Sequence, residues 1–298
     1  MNGILCINKP QEYTSFDVIA RLRGMSKTKR IGHAGTLDPM ATGVLPIFFG
    51  KATKACDILP NHDKEYIAEF KFGIKTNTLD IFGEVISSKK TNVNLLQVQN
   101  VLTRFSGEIK QIPPMFSAVQ VNGRRLYDMA RQGIEIERTP RKAMIYSLEL
   151  MNFDENLQSG TLRISCGKGT YVRTLCDDIG KALDVDCVMG NLERVKSGNF
   201  LLKDCYTLEQ VQELVRENKL EQTLMPIDSI FINYPLITLN EIQSKMFKNG
   251  VELDLNRVIY KDIDGCHRVY DNNNVFLGLA SLNIDEMALK IEKMFIDN

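Results

Sequence analysis

The sequence predicts an α+β protein, a mixed-sheet body followed by a small β-rich module at the C-terminal end. Three observations predict it. Tyr66 to Phe72 alternates cleanly, with Tyr66, Ala68, Phe70 and Phe72 on one face and Ile67, Glu69 and Lys71 on the other, as a half-buried strand does. Helical and strand patterns are mixed through residues 1–235 without the regular alternation of a doubly wound parallel sheet. After Tyr234-Pro235 the texture changes to short apolar runs separated by turn clusters. The expected organisation is therefore 1–235 and 236–298.

The elements follow in order. Ile4 to Ile7 reads as a buried strand ended by Asn8-Lys9-Pro10. Ser15 is expected to cap a short helix with Phe16, Ile19 and Ala20 on one face. Leu96, Val98, Val101, Leu102 and Phe105 fit an amphipathic helix, and Met144, Tyr146, Leu148 and Leu150 an alternating strand. Thr161 to Cys166 reads as a strand leading through Gly167-Lys168-Gly169-Thr170 into a helix from about Tyr171, with Val172, Leu175, Ile179 and Leu183 inward. Thr207 to Gln210 is a capping box opening a helix with Leu208, Val211 and Leu214. In the C-terminal module the runs are Arg257 to Tyr260, His267 to Tyr270, Val275 to Ala280 and Ala288 to Phe295. Asp271-Asn272-Asn273-Asn274 is the turn between two of them.

With 298 residues and 44% hydrophobic content, the chain can bury a substantial core. Lys+Arg and Asp+Glu are equal at 37, so overall charge does not announce a nucleic-acid partner, and a basic surface requires local segregation. Residues 21–54 carry seven Lys or Arg against the single acid Asp38, and residues 104–142 are also rich in arginine. Such runs are ordinarily solvated surface. Placed on both sides of an apolar segment, they suit phosphate contacts. The seven cysteines are scattered, odd in number and never in a C-x-x-C pair. They read as reduced residues of a cytoplasmic protein without disulfides or zinc. The N-terminus is too short in apolar residues for a signal peptide, and no run reaches the length of a membrane span.

Several chemistries lack their signatures. Six residues, not four, separate Gly43 from Gly50, and Ala52 stands where a P-loop needs Ser or Thr. Gly167-Lys168-Gly169 lacks the third glycine of a dinucleotide fingerprint. There is no H-x-E with P-C-x-x-C, and only three histidines, His33, His62 and His267. A reaction without metal or organic cofactor is expected.

The most informative stretch is Gly32 to Gly50, GHAGTLDPMATGVLPIFFG. Between His33 and Lys51 its only formal charge is Asp38. A lone carboxylate among small and apolar residues needs a partner or a chemical task. Pro39 pushes Asp38 toward an extended conformation and so toward a turn. An Asp-Pro pair is equally a common helix start. The whole segment resembles the catalytic motif of the TruB family of tRNA pseudouridine synthases, Gly-His-x-Gly-x-Leu-Asp-Pro-x-Ala-x-Gly-x-Leu-Pro, with every fixed position present.

The resemblance implies a pseudouridine synthase catalytic domain, isomerisation of uridine 55 in the T-loop of tRNA by base flipping, and Asp38 as nucleophile. It covers residues 3 to about 200 well. Lys168 to Leu175 is similar to the family's second motif, which implies that Arg173 pairs with Asp38 and that Tyr171 contacts substrate. Tyr66 matches the family's stacking tyrosine, which implies a catalytic place for it with proton transfer by its phenol as a second role, although on pattern alone it is a core residue. Leu192 matches a leucine lining the uracil pocket, and His33 the histidine that takes the space of the flipped base. Lys9-Pro10 matches a motif read as structural support. Residues of about 111–142, from Ile112-Pro113-Pro114 through Asn122-Gly123-Arg124-Arg125-Leu126-Tyr127, resemble the family's RNA-clamping insertion, with Arg124, Arg125, Arg131 and Arg141 as phosphate contacts. Phe276 to Ala280 and its position resemble a PUA domain, an RNA-binding module. The expected partner is the tRNA T-arm, with no membrane and no metal, and the chain acts as a monomer. One departure is Leu192-Glu193-Arg194 where family members often have Leu-Arg-Arg, which removes a positive charge from a local phosphate contact. Two other classes are an RNA-binding or tRNA-folding protein with secondary or no catalysis, and a sugar hydrolase using Asp38. The hydrolase lacks a second carboxylate nearby in sequence, the next acid being Asp57.

Overall fold

The computed structural model describes residues 1–121, 123–261 and 265–296, so Asn122 of the insertion lies outside the described residues. Strand β1 (Gly3–Lys9) leads into helix α1 (Ser15–Ser26), a short strand β2 (Ile31–His33), an irregular turn and strand β3 (Thr42–Phe49). Then come β4 (Lys64–Phe72), a small hairpin of β5 (Ile74–Thr76) and β6 (Val85–Ser88), helix α2 (Leu95–Leu102) and β7 (Gly107–Gln111). The insertion folds into the hairpin β8 (Gln120–Val121) and β9 (Arg124–Arg125) and helix α3 (Leu126–Ala130). The body closes with β10 (Arg141–Asp154), β11 (Ser159–Cys166), α4 (Val172–Ala182), β12 (Cys187–Ser197), β13 (Phe200–Leu201), α5 (Leu208–Arg216) and α6 (Leu220–Thr223).

Apart from the β5–β6 and β8–β9 hairpins, these strands form one mixed sheet in the order β1-β3-β12-β4-β11-β10-β7, with β2 added to β3 and β13 to β12. Within this sheet, among the described residues, β3 and β12 are the parallel pair. Helices α2 and α4 cover the face that carries Tyr66, Ala68, Phe70 and Phe72, the alternation read in the sequence. The edge formed by β1 and β3 is buried on both sides. Leu5, Ile7, Leu45 and Ile47 pack under α1 and α5, while Ile4, Cys6, Val44 and Phe48 share a cluster with Leu279 and Phe295 of the C-terminal module. Burial on both faces is why Val44 to Phe49 reads as an unbroken apolar run.

The C-terminal module holds β14 (Leu236–Thr238), α7 (Glu241–Lys248), β15 (Leu253–Asp254), β16 (Cys266–Tyr270), β17 (Phe276–Asn283) and β18 (Ala288–Met294). Its sheet runs β14-β16-β17-β18-β15 around a core of its own. The Asp271 carboxylate accepts the N–H groups of Asn273 and Val275, which makes the turn between β16 and β17. All seven cysteines are free. Among the described residues no helix is long and apolar enough to cross a membrane.

Four sequence expectations are corrected. Thr14, not Ser15, caps α1, and the inward stripe is Val18, Ile19 and Leu22, while Phe16 is 66% exposed. Leu96 is exposed, because α2 turns Val98, Val101 and Leu102 inward from its Asn94 cap. In β10 the buried residues are Ala143 and Ile145, with Met144 and Tyr146 outside. An irregular pairing between Ile145 and Ser147 then shifts the phase so that Leu148 and Leu150 face the core. Arg257 to Tyr260 is not a strand, since a 3₁₀ turn over Leu255–Arg257 takes its start, and α7 was not visible as a separate helix.

Two features fix where the turn between β2 and β3 lies. Gly43 pairs with Arg194 across the parallel β3–β12 contact at φ 102°, and a Cβ there would collide with the Arg194 backbone. Lys9, at the end of β1, is fully buried, and its ammonium donates to the carbonyls of Pro10 (2.8 Å), Tyr13 (2.6 Å) and Pro39 (3.2 Å). Burial pulls the Lys9 ammonium down to about 8.

Gly43→Ala is expected to cost at least about 2 kcal/mol in urea unfolding, from left-handed strain and the collision together. Unchanged stability would mean that β3 and β12 do not approach this closely. Burial of the Lys9 ammonium also makes stability pH-dependent. Between about 8 and its ordinary 10.5, the unfolded chain holds a proton that the folded chain has released. Unfolding free energy therefore rises with pH across this window. Lys9→Met should lack that rise, and parallel pH curves for the two proteins would show that Lys9 titrates normally.

Candidate active site

Residues 34–41 belong to no strand or helix, and side chains and backbone groups from elsewhere in the fold hold the carbonyls of Gly35, Thr36, Leu37 and Pro39 and the N–H of Leu37. Arg194, fully buried on β12, donates from its guanidinium to the carbonyls of Val44 (2.8 Å), Gly35 (2.9 Å) and Thr36 (3.5 Å). The Ser15 hydroxyl accepts from the Leu37 N–H (3.0 Å) and donates to the Leu37 carbonyl (3.3 Å). The Ala41 N–H closes a turn on the Asp38 carbonyl (3.0 Å), and the Glu12 N–H joins Lys9 on the Pro39 carbonyl (2.9 Å). Asp38 thus begins a β-turn with Pro39 in its second position, not a helix.

The Asp38 side chain meets Arg173, from the first turn of α4, at 2.8 Å. The Arg173 side chain is 7% exposed and that of Asp38 is 37% exposed. The same guanidinium nitrogen donates to the Phe116 carbonyl (2.8 Å). The other terminal nitrogen donates to the Thr78 carbonyl (3.2 Å) and lies 3.8 Å from the buried Asp80 carboxylate. Asp80 accepts in turn from the Thr78 hydroxyl (2.8 Å) and the Phe82 N–H (3.1 Å). A cation at a helix N-terminus opposes the helix dipole, and the two carboxylates offset that cost.

Asp38 opens into a cavity of about 260 Å³ walled by Leu37, Lys64, Tyr66, Tyr171 and Leu192. Tyr66 and Leu192 are buried on the neighbouring strands β4 and β12. Burial raises the Tyr66 phenol above its ordinary range and does the same, less completely enclosed, for Tyr171. The Tyr171 backbone is held by the Gln111 side-chain amide, which accepts its N–H (3.0 Å) and donates to its carbonyl (3.1 Å). His33, at the end of β2, stands outside this lining. Burial and the Arg194 charge lower its pKa, so the imidazole is neutral at pH 7, and its ring meets Phe16 edge-on at 6.0 Å.

The insertion packs on this site. The Phe116 carbonyl accepts from Arg173, the Thr174 hydroxyl donates to the Ile112 carbonyl (3.3 Å), and Ser117 and Ala118 complete the cavity wall. Arg124, Arg125, Arg131 and Arg141 are all exposed. Arg125 and Arg131 lie over the Tyr127 ring at 5.8 and 5.4 Å, and Arg124 donates to the Gln132 side chain (2.9 Å). Glu193 is half-buried in a separate cleft with Asn8, Pro10, Thr42 and Glu209. Among the described residues no group of three or more His, Cys, Asp or Glu is arranged to hold a metal ion.

The structure therefore brings Asp38, Tyr66, Tyr171, Arg173 and Leu192 to one cavity, with Lys9 beneath the turn, His33 beside it and Pro10 in the neighbouring cleft with Glu193. Sequence reasoning missed Asp80, Ser15 as a partner of Leu37, and the burial of Arg194. A second carboxylate does lie near Asp38 in space, although none does in sequence. The lone charge between Leu79 and Ile81 was the available signal for Asp80.

A family model for the N-terminal domain of TruB family pseudouridylate synthases matches residues 23–172, and one for the tRNA pseudouridylate synthase B C-terminal domain matches residues 173–232. The protein named tRNA pseudouridine synthase B of Clostridium kluyveri is 42% identical over 297 residues, which is 99% of this chain and 100% of that protein. Among solved structures, a Cbf5-Nop10-Gar1 complex is similar with a TM-score of 0.74 at 23% identity, over 99% of this chain and 85% of that one. An H/ACA RNP bound to a substrate RNA containing 2'-deoxyuridine gives 0.73 at 22% identity, over 99% and 85%. Those two likenesses place the fold, and the full-length identity places the lineage: the chain belongs to the TruB family of pseudouridylate synthases.

Proposed function

We propose that the chain isomerises uridine to pseudouridine in tRNA, at position 55 of the T-loop, with Asp38 as nucleophile. The observation that carries this reading is the Arg173–Asp38 pair at the mouth of a cavity walled by Tyr66, Tyr171 and Leu192. The name and the full-length identity of the Clostridium kluyveri relative support it. In this reading the target nucleotide leaves its stack and enters the cavity, a step that costs a few kcal/mol. Tyr66 offers an aromatic face to the uracil, and Leu192 an apolar edge. Arg173 orients the Asp38 carboxylate through a charge-assisted hydrogen bond. The carboxylate promotes cleavage of the N-glycosidic bond, the base rotates, and C5 bonds to C1′ of the ribose. The C5 proton leaves and N1 ends protonated, so the change is an isomerisation. With its phenol raised by burial, Tyr66 stays protonated at neutral pH and serves by stacking.

The remaining assignments follow from the same reading. Residues 1–235 form the catalytic domain. The insertion of about 111–142 grips the T-arm phosphates with Arg124, Arg125, Arg131 and Arg141, and 236–298 is a PUA-like RNA-binding domain. His33 fills the space of the flipped base. The protein acts in the cytoplasm as a monomer without metal. The catalysis-free reading is disfavoured by the intact ion pair. A hydrolase reading would need Asp80 as its second acid, but that carboxylate is buried and engaged by Thr78, Phe82 and Arg173.

The test is tritium release from a T-arm stem-loop carrying 5-tritiated uridine. The wild type should release tritium, and Asp38→Asn should abolish release while leaving RNA affinity within about twofold, since the substitution removes charge but little volume. Turnover by Asp38→Asn at the wild-type rate would remove Asp38 from the mechanism. Substituting Arg124 and Arg141 together by Ala should weaken RNA binding and reduce the slope of log affinity against log salt by about one per lost contact. An unchanged slope would detach the insertion from the RNA.

A further inference from the structure

We propose that Ser15 is a positioning residue for Asp38, acting through Leu37. This rests on the role of Asp38 proposed above. Ser15 opens α1 but does not cap it. Thr14 does that, accepting the Asp17 N–H (3.0 Å) while the Asp17 carboxylate takes the Thr14 N–H (2.8 Å). The Ser15 hydroxyl is thereby left for another partner, and at 2% exposure it has no access to bulk water.

Its partner is the residue before the catalytic aspartate. One hydroxyl both accepts the Leu37 N–H and donates to the Leu37 carbonyl, at 3.0 and 3.3 Å, the pair of bonds a neighbouring strand would otherwise supply. The Leu37 side chain is buried with Ala41, Tyr66, Val172 and Leu192. Leu37 is therefore held at its backbone by α1 and at its side chain by the wall of the cavity. On the other flank, Pro39 is held by Lys9 and Glu12. Asp38 has little freedom left between these two anchors. Without the Ser15 hydroxyl, the Leu37 N–H and carbonyl are unpaired in a dry site. The turn relieves this by shifting toward water, and the Asp38 carboxylate shifts with it relative to Arg173. A displacement of about 1 Å at a reacting group costs on the order of 100-fold in rate.

The experiment compares full-length Ser15→Ala, Ser15→Thr and Thr14→Ala in tritium release at saturating T-arm RNA, with RNA affinity and urea unfolding measured in parallel. Thr14→Ala weakens the same helix end by losing its cap but leaves the Leu37 bonds in place. Expected is a fall of about 10- to 100-fold in rate for Ser15→Ala with RNA affinity within about twofold. Thr14→Ala should turn over as the wild type, and Ser15→Thr should recover much of the rate. Equal rates for Ser15→Ala and Thr14→Ala beside an active wild type would overturn the positioning role alone. No release by the wild type would sink the proposed reaction and this role with it. Should Ser15→Ala fail to fold, Ser15→Cys carries the comparison, since the thiol keeps the shape with a weaker hydrogen-bonding group. An undiminished rate there would likewise overturn the proposal.

Discussion

A guanidinium buried between two carboxylates organises this molecule. Arg173 cannot be removed from water without its charge and its N–H groups being met, because an unpaired buried cation costs several kcal/mol. The four groups that meet it come from distant parts of the chain. Asp38 lies on the turn between β2 and β3, Thr78 and Asp80 on the loop between β5 and β6, and Phe116 on the insertion. Satisfying one side chain thus draws three loops onto the end of α4. Asp38 keeps part of its surface open, while Asp80 is closed off. One carboxylate is left able to meet a substrate, and the other serves to hold the arginine.

The turn that carries Asp38 shows the same economy at the backbone. Irregular backbone inside a protein must still have its N–H and carbonyl groups paired. Here side chains do the pairing. Arg194 takes three carbonyls, Ser15 both polar groups of Leu37, and Lys9 the Pro39 carbonyl. These side chains come from β12, α1 and β1. A turn held by the body of the sheet can place a carboxylate reproducibly without being part of the sheet.

The Tyr66–Phe72 strand and the α5 capping box were legible in the sequence because period and cap chemistry are local. The phase of β10 was not, because a pairing irregularity beside Ile145 moves the inward face by one residue, and pairing is a property of two strands. Ser15 was misread as a cap because Thr14 and Ser15 are equally suited to capping, and only the position of Leu37 separates them. Asp38, Tyr66, Arg173 and Leu192 were found through motif resemblance, which records the outcome of folding without describing it.

By itself, the sequence determined the α+β class, the Tyr66–Phe72 alternation, the α5 capping box and the lineage, since each rests on neighbouring residues or on an extended ordered motif. Only the tertiary structure decided that Asp80 faces Arg173, that Arg194 and Lys9 are buried under the turn, and that the C-terminal sheet covers one face of β1 and β3. Those are contacts between residues far apart in the chain. Whether a charged side chain ends in water or against a carbonyl depends on what the rest of the fold brings to it.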